Sequence, residues 1–169
     1  MASPFWIPTD TPGRLAILAR PRGGDWLPDE VAAWKRAGLH TVVSLLGEDE
    51  EADLELSDEA SECARTDLQF IAAPVMDRGL PDDAVAFGEL AAELASKVAA
   101  GASIGIHCRI GVGRSPLLAI AVLITLGVPT PEAIRRASAA RGRIVPETPE
   151  QLEWISRYQV PAMASVGSS

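Results

Sequence analysis

The residues able to do chemistry are concentrated in one short run, His107-Cys108-Arg109-Ile110-Gly111-Val112-Gly113-Arg114-Ser115. A tight loop of this composition turns successive backbone N–H groups toward one point. Gly111 and Gly113 supply the backbone conformations and the close approach that such a cradle needs. The stretch from Arg109 through Ile110, Gly111, Val112 and Gly113 would then surround an anion. Arg114 would hold two of its oxygens with a planar fork, which lysine lacks. A helix starting directly after the loop aims its N-terminal dipole at the same place. A cysteine in that field ionises more readily than a free thiol, and the thiolate is the attacking form. Cys108 is therefore the candidate nucleophile. Ser115 is the hydroxyl that stabilises its sulfur as a leaving group, and His107 braces the loop by reaching back to its carbonyls.

The elements that must hold this run in place can be read on either side of it. Leu15-Ala-Ile-Leu18 is a strand, followed by a turn through Pro21, Gly23 and Gly24. Pro28-Asp-Glu-Val31 opens a helix with its carboxylates at the favoured end, and Gly38 closes it. Thr41 to Leu46 is the clearest strand, being rich in β-branched residues. The acidic stretch from Glu48 to Glu59 reads as a solvated loop entering a short helix near Ser57. Phe70 to Ala72 is a third strand, and Pro74-Val-Met-Asp77 carries the chain off its end. Pro81-Asp-Asp83 starts a long Ala-rich helix that stops at Gly101. Ser103 to His107 is an apolar strand with Cys108 just beyond it, and Ser115 to Leu126 is a helix apolar enough to be buried. Thr130-Pro-Glu132 opens another helix, which Gly142 ends, and Thr148-Pro-Glu-Gln151 is a capping box for the last. The alternation predicts a single α/β domain: a central, mostly parallel sheet of about four to five strands flanked by helices. The core is expected over residues 14–158, with the termini outside it. Ligands of such sheets bind beyond the carboxyl ends of the strands, where Cys108 and Asp77 both fall.

The string His-Cys-x-x-Gly-x-Gly-Arg-Ser, between a strand and a helix, resembles the signature loop of the cysteine-based protein tyrosine phosphatase superfamily. The segments Leu15-Ala-Ile-Leu-Ala-Arg-Pro-Arg22, Ala37-Gly-Leu-His-Thr-Val-Val-Ser-Leu-Leu46 and Pro74-Val-Met-Asp-Arg-Gly-Leu-Pro81 are similar to segments of its small atypical dual-specificity members. So is Arg141-Gly-Arg-Ile-Val-Pro-Glu-Thr-Pro-Glu-Gln151, and the four occur in the right order. The resemblance implies a phosphatase-like fold that hydrolyses phosphomonoesters through a phosphocysteine. It points most directly to phosphotyrosine, with phosphoserine and phosphothreonine as further substrates, in a phosphorylated protein or peptide partner. It also implies that Asp77 is the general acid, that Gln151 is a supporting residue matching one that positions water in some relatives, and that neither metal nor cofactor is used. The capping box explains Gln151 equally well.

Several readings stay open. The same chemistry suits a phosphoinositide, an inositol phosphate or an RNA 5′-phosphate; sulfur transfer also uses a cysteine in an amide cradle; and a phosphate-binding module would need no turnover. Composition weighs on these. Lys and Arg number 15 against 23 Asp and Glu, a net charge of −8. That is unfavourable for general binding of nucleic acid or anionic membrane. No signal-peptide pattern is present at the N-terminus, and the longest apolar stretch, Leu117 to Leu126, is too short to span a bilayer. Two cysteines make no disulfide framework. A cytoplasmic protein is expected, of an oligomeric state that composition leaves open. Cys63 reads as a half-buried helix residue, with a protective partnership to Cys108 as the alternative. His40 reads as ending a helix-to-strand turn. Trp6, Trp34 and Trp154 read as packing residues, as does Trp26, which alternatively borders the site.

Overall fold

A computed structural model describes residues 3–161 of the chain. Five strands form one sheet: β1 (Phe5–Ile7), β2 (Arg14–Leu18), β3 (Thr41–Ser44), β4 (Gln69–Ala72) and β5 (Ser103–His107). Their spatial order is β1-β2-β5-β3-β4. Only β1 runs antiparallel to its neighbour; the other pairings are parallel. The helices are α1 (Leu27–Arg36), α2 (Glu48–Asp53), α3 (Glu59–Arg65), α4 (Ala84–Ala99), α5 (Arg114–Thr125), α6 (Thr130–Arg141) and α7 (Pro149–Ser156). None among the described residues is long and apolar enough to cross a membrane.

Both sheet faces are covered, which is why the strands read as near-continuous apolar runs. Leu15, Ile17, Val43, Ile104 and Ile106 pack with α4 to α7 on one face, while Ala16, Leu18 and Val42 pack with α1 and α3 on the other. The central strand admits this packing through Gly105, where an added Cβ would lie 2.5 Å from a methyl of Leu18. Helix α5 is buried from Arg114 to Leu123, in keeping with its apolar sequence. Helix ends follow their caps: Asp83 accepts a hydrogen bond from the Ala86 amide, Gly142 takes a left-handed φ of 82°, and Thr148 and Gln151 close a reciprocal box. Thr130 is the first residue of α6 and not its cap, a place taken by Pro129 with extended backbone.

Two expectations need correction. Residues before 14 are not outside the core, because Phe5–Ile7 pairs with β2 and Ile7 is buried. A three-residue edge strand is too short to stand out by periodicity. The tail from residue 162 onward lies outside the described residues. The second correction concerns Glu48 to Glu59, which is no plain solvated loop: it forms α2, and Glu59 opens α3 with 1% exposure.

Candidate active site

Parallel β3, β4 and β5 end at the same side of the sheet, and the segments leaving them carry Glu50, Asp77 and Cys108. Hydrogen bonds continue past the strand ends, from Leu45 N to the His107 carbonyl (3.0 Å) and from Val75 N to the Leu45 carbonyl (3.0 Å). These pin the three exits together. Cys108 lies at 3% exposure, with Sγ 3.3 Å from the Gly111 amide and 3.2 Å from Ser115 Oγ. It floors a shallow cavity of about 220 Å³ whose wall includes Asp77, Arg78, Arg114 and Glu147. A larger hollow of about 910 Å³ beside α7 contains neither cysteine, so size alone does not mark the site.

The loop is held from behind as well. Arg141, at the end of α6, donates to the carbonyls of Gly111 (3.0 Å) and Ile110 (3.3 Å), and its guanidinium lies over the Phe5 ring at 4.5 Å. The Gly111 amide, for its part, donates to Cys108 Sγ. Gly111 has φ 83°, which a side chain would strain. A Cβ on Gly113 would stand 3.0 Å from the Gln151 amide nitrogen. Ile110 is exposed at the rim, and Val112 is buried beneath the loop.

Arg114 is 2% exposed and deeply anchored. Its Nη1 donates to Glu50 Oε1 (2.7 Å) and to the carbonyls of Val75 (2.8 Å) and Leu45 (3.3 Å). Its Nη2 donates to Glu50 Oε2 (2.9 Å) and to Asp77 Oδ1 (3.1 Å). Burial by itself would lower the guanidinium pKa, but the Glu50 hydrogen bond and the negative charges of Cys108, Glu50 and Asp77 turn the shift upward. Glu50 is the residue that the sequence reading missed. Arg114 holds its carboxyl below the usual 4.5, against burial and with help from the Gly47 amide and Arg109. Arg109 comes within 3.8 Å of Glu50 and, unlike the rest of the loop from Ile110 to Arg114, does not line the Cys108 cavity. No local pattern marks Glu50; the one signal was a carboxylate-rich segment directly after a strand that ends at the site.

His107 departs from expectation in its partner. Its Nε2 shares a 2.6 Å hydrogen bond with Glu59 Oε2, both side chains being buried, and Trp34 stacks on the ring at 5.8 Å. The only loop carbonyl it approaches is that of Cys108, at 3.4 Å. The ring packs on the α1 and α3 side of the sheet, so Glu59 of α3 is its short contact and the Cys108 carbonyl its one tie to the loop. Cys63 is fully buried in that same layer, opposite the layer holding Cys108. Burial, then Glu59 and Glu62, push its thiol up to about 12, so it is unsuited to pair with the nucleophile. His40 takes a structural place, its Nδ1 accepting from the Ser103 amide at 2.8 Å. Trp26 lies beneath the Arg22 guanidinium (4.2 Å) and does not line the site cavity. Gln151 is buried at the start of α7, between Gly113 and Gly79.

Glu50→Gln keeps the shape and removes the charge. Because the folded-state pKa of Glu50 is depressed, its contribution is complete above 4.5 and is lost as pH falls through the folded value. The variant should lose about 2 kcal/mol near neutral pH, with the gap to wild type closing in acid, and about tenfold in affinity for inorganic phosphate. Thermal melts across pH, with calorimetric titration of phosphate, check this; a gap that stays constant with pH would contradict it.

One cavity thus brings together the Cys108 sulfur, the Arg114 guanidinium and the Asp77 carboxyl group. No family model matches the sequence, and no curated protein gives a significant match. Solved structures do match in fold. Kinase associated phosphatase, with its catalytic cysteine changed to serine, has a TM-score of 0.82 at 19% identity, covering 90% of this chain and 91% of its own. A protein tyrosine phosphatase from Leishmania major has a TM-score of 0.73 at 22% identity, covering 94% of this chain and 99% of its own. Tk-PTP in its active form has a TM-score of 0.71 at 25% identity, covering 90% of this chain and 94% of its own. The fold is that of these phosphatase structures.

Proposed function

We propose that this chain is a cysteine-dependent phosphatase acting on phosphorylated protein side chains, phosphotyrosine foremost and phosphoserine and phosphothreonine besides. The observation that carries the reading is the Cys108 sulfur lying within the Gly111 and Ser115 hydrogen bonds, at the floor of a cavity walled by Arg114 and Asp77. Loop amides and Arg114 bind the phosphate oxygens. The thiolate of Cys108 attacks phosphorus as the bond to the leaving oxygen breaks, and Asp77 gives that oxygen its proton. Water then attacks the phosphocysteine and passes a proton to Asp77. The S–P bond breaks, and Ser115 donates to the departing thiolate.

Asp77 accepts from the same Nη2 edge of Arg114 that a phosphate oxygen would take. Substrate binding therefore exchanges one anion for another there and releases the acid toward the leaving group. Protein substrates are favoured over polyanionic ones by the surroundings. A depression of about 1030 Å³ shares Asp77 with the site and is lined by Glu48, Asp49 and Asp82. These carboxylates, on a chain of net charge −8, repel the additional phosphates of an inositol phosphate or RNA end.

The test is metal-free hydrolysis of a series of aryl and alkyl phosphates, inhibited by vanadate. Asp77→Asn should lower kcat/KM about 10²–10⁴-fold for leaving groups of high pKa and much less for those that depart without a proton. An equal loss across the series would remove Asp77 from the acid role. No turnover by folded, reduced wild type would favour a phosphate-binding module.

A further inference from the structure

Besides the Arg114 bonds to Asp77 and to the Val75 carbonyl, the turn that carries Asp77 is tied down by residues at the start of α7. Gly79 N donates to the Met76 carbonyl at 2.8 Å, closing a tight turn with Asp77 and Arg78 at its centre. Arg78 keeps a left-handed φ of 57°, a conformation that a non-glycine residue holds only when its surroundings impose it. Two contacts impose it. Outside, Arg78 Nη1 pairs with Glu147 Oε1 at 2.9 Å. Inside, Gln151 Nε2 donates to the Gly79 carbonyl at 3.1 Å, while Gln151 Oε1 accepts from the Thr148 amide at 3.3 Å.

The Gln151 side chain has no exposed surface, and each end of its amide has a backbone partner. Its other side is pressed against Gly113 of the phosphate loop, where even a methyl group would stand 3.0 Å from Nε2. One amide thus spans the gap between the turn bearing the carboxyl group and the loop bearing the nucleophile. The capping box fixes it at its base, since Gln151 N donates to Thr148 Oγ1 at 3.0 Å.

We propose that Gln151 is a positioning residue for proton donation: it clamps the Asp77 turn to the phosphate loop and sets the distance from the acid to the leaving oxygen, and it does not hold the hydrolytic water. This rests on the phosphatase reading. Its signature is therefore that of the acid and not that of dephosphorylation.

Gln151→Met fills the same space and cannot donate to Gly79. With wild type active, Gln151→Met should lower kcat/KM about tenfold for leaving groups of high pKa and hardly at all for those that need no proton. Added to Asp77→Asn, it should cost nothing further, because the acid it positions is gone. Glu147→Gln keeps the shape and removes the charge from the outer tie, whose Arg78 end is exposed, and should show a smaller loss of the same form. Should Gln151→Met fail to fold, Glu147→Gln carries the test by itself.

Three results overturn the inference: a loss equal for all leaving groups, a full additional loss in the Asp77→Asn background, or a flat profile for Glu147→Gln. A pre-steady-state burst with slow release of phosphate in Gln151→Met would also overturn it, by making the residue a water-positioning one. Absence of turnover in wild type is a different result, and it removes the phosphatase reading on which this one stands.

Discussion

Cys108→Ser should abolish turnover and leave oxyanion binding in place. A serine hydroxyl at this position keeps its proton near neutral pH and has no adjacent base to take it. The hydrogen-bond partners of the sulfur, the Gly111 amide and Ser115 Oγ, supply no such base. Loss of a nucleophile that forms a covalent intermediate costs roughly five to six orders of magnitude in kcat. Binding should survive, because the cradle is built from backbone amides and Arg114, none of which the substitution touches. The measurement pairs phosphate release with calorimetric titration of inorganic phosphate in the same preparation. Substantial residual turnover would remove Cys108 from the nucleophile role; loss of binding together with activity would mean that the sulfur helps to build the cradle.

Arg114→Lys should be the next most damaging change. The guanidinium satisfies Glu50 at two points, the Val75 and Leu45 carbonyls and Asp77, and a ligand oxygen would take the Asp77 place on Nη2. An ammonium has three donors on a single atom and cannot meet these demands together. Removing a preorganised oxyanion donor costs about 10²–10³ in rate, and the lost bidentate geometry adds to that, so kcat/KM should fall about 10³-fold. Stability should fall too. Glu50 would be left in a partly buried place without its matched partner, a loss of about 3 kcal/mol. Kinetics alongside thermal melts separate the two effects. Near-normal kcat/KM would show that Arg114 anchors the loops without gripping phosphate.

These predictions rest on parts of the molecule that were unequally legible. The phosphate loop is contiguous, and its cysteine, glycines and arginine carry their own physical meaning. Asp77 was singled out by the family resemblance, and it lies just beyond the end of β4. Capping chemistry placed the start of α7 well, and with it Gln151. The same capping box also concealed the wider part that Gln151 plays, because a sufficient local explanation left no reason to look for a second. The acidic stretch failed for a related reason. Charge runs are usually solvated, and nothing local distinguishes Glu50 and Glu59 from Glu48, Asp49 or Glu51.

The sequence by itself determined the α/β architecture, the strand–loop–helix that presents Cys108 and Arg114, and the caps that start and stop most helices. All of these follow from periodicity, backbone conformational freedom and hydrogen bonds between residues close in the chain. Only the tertiary structure decided which distant groups complete the site. Glu50 sets the Arg114 fork, Glu59 takes His107 to the far face of the sheet, and Arg141, over Phe5, holds the loop carbonyls. Gln151 joins the Asp77 turn to the loop. An ion pair or side-chain hydrogen bond reaches only a few ångströms, so its partners are chosen by strand order and helix packing, to which residue type and spacing are blind.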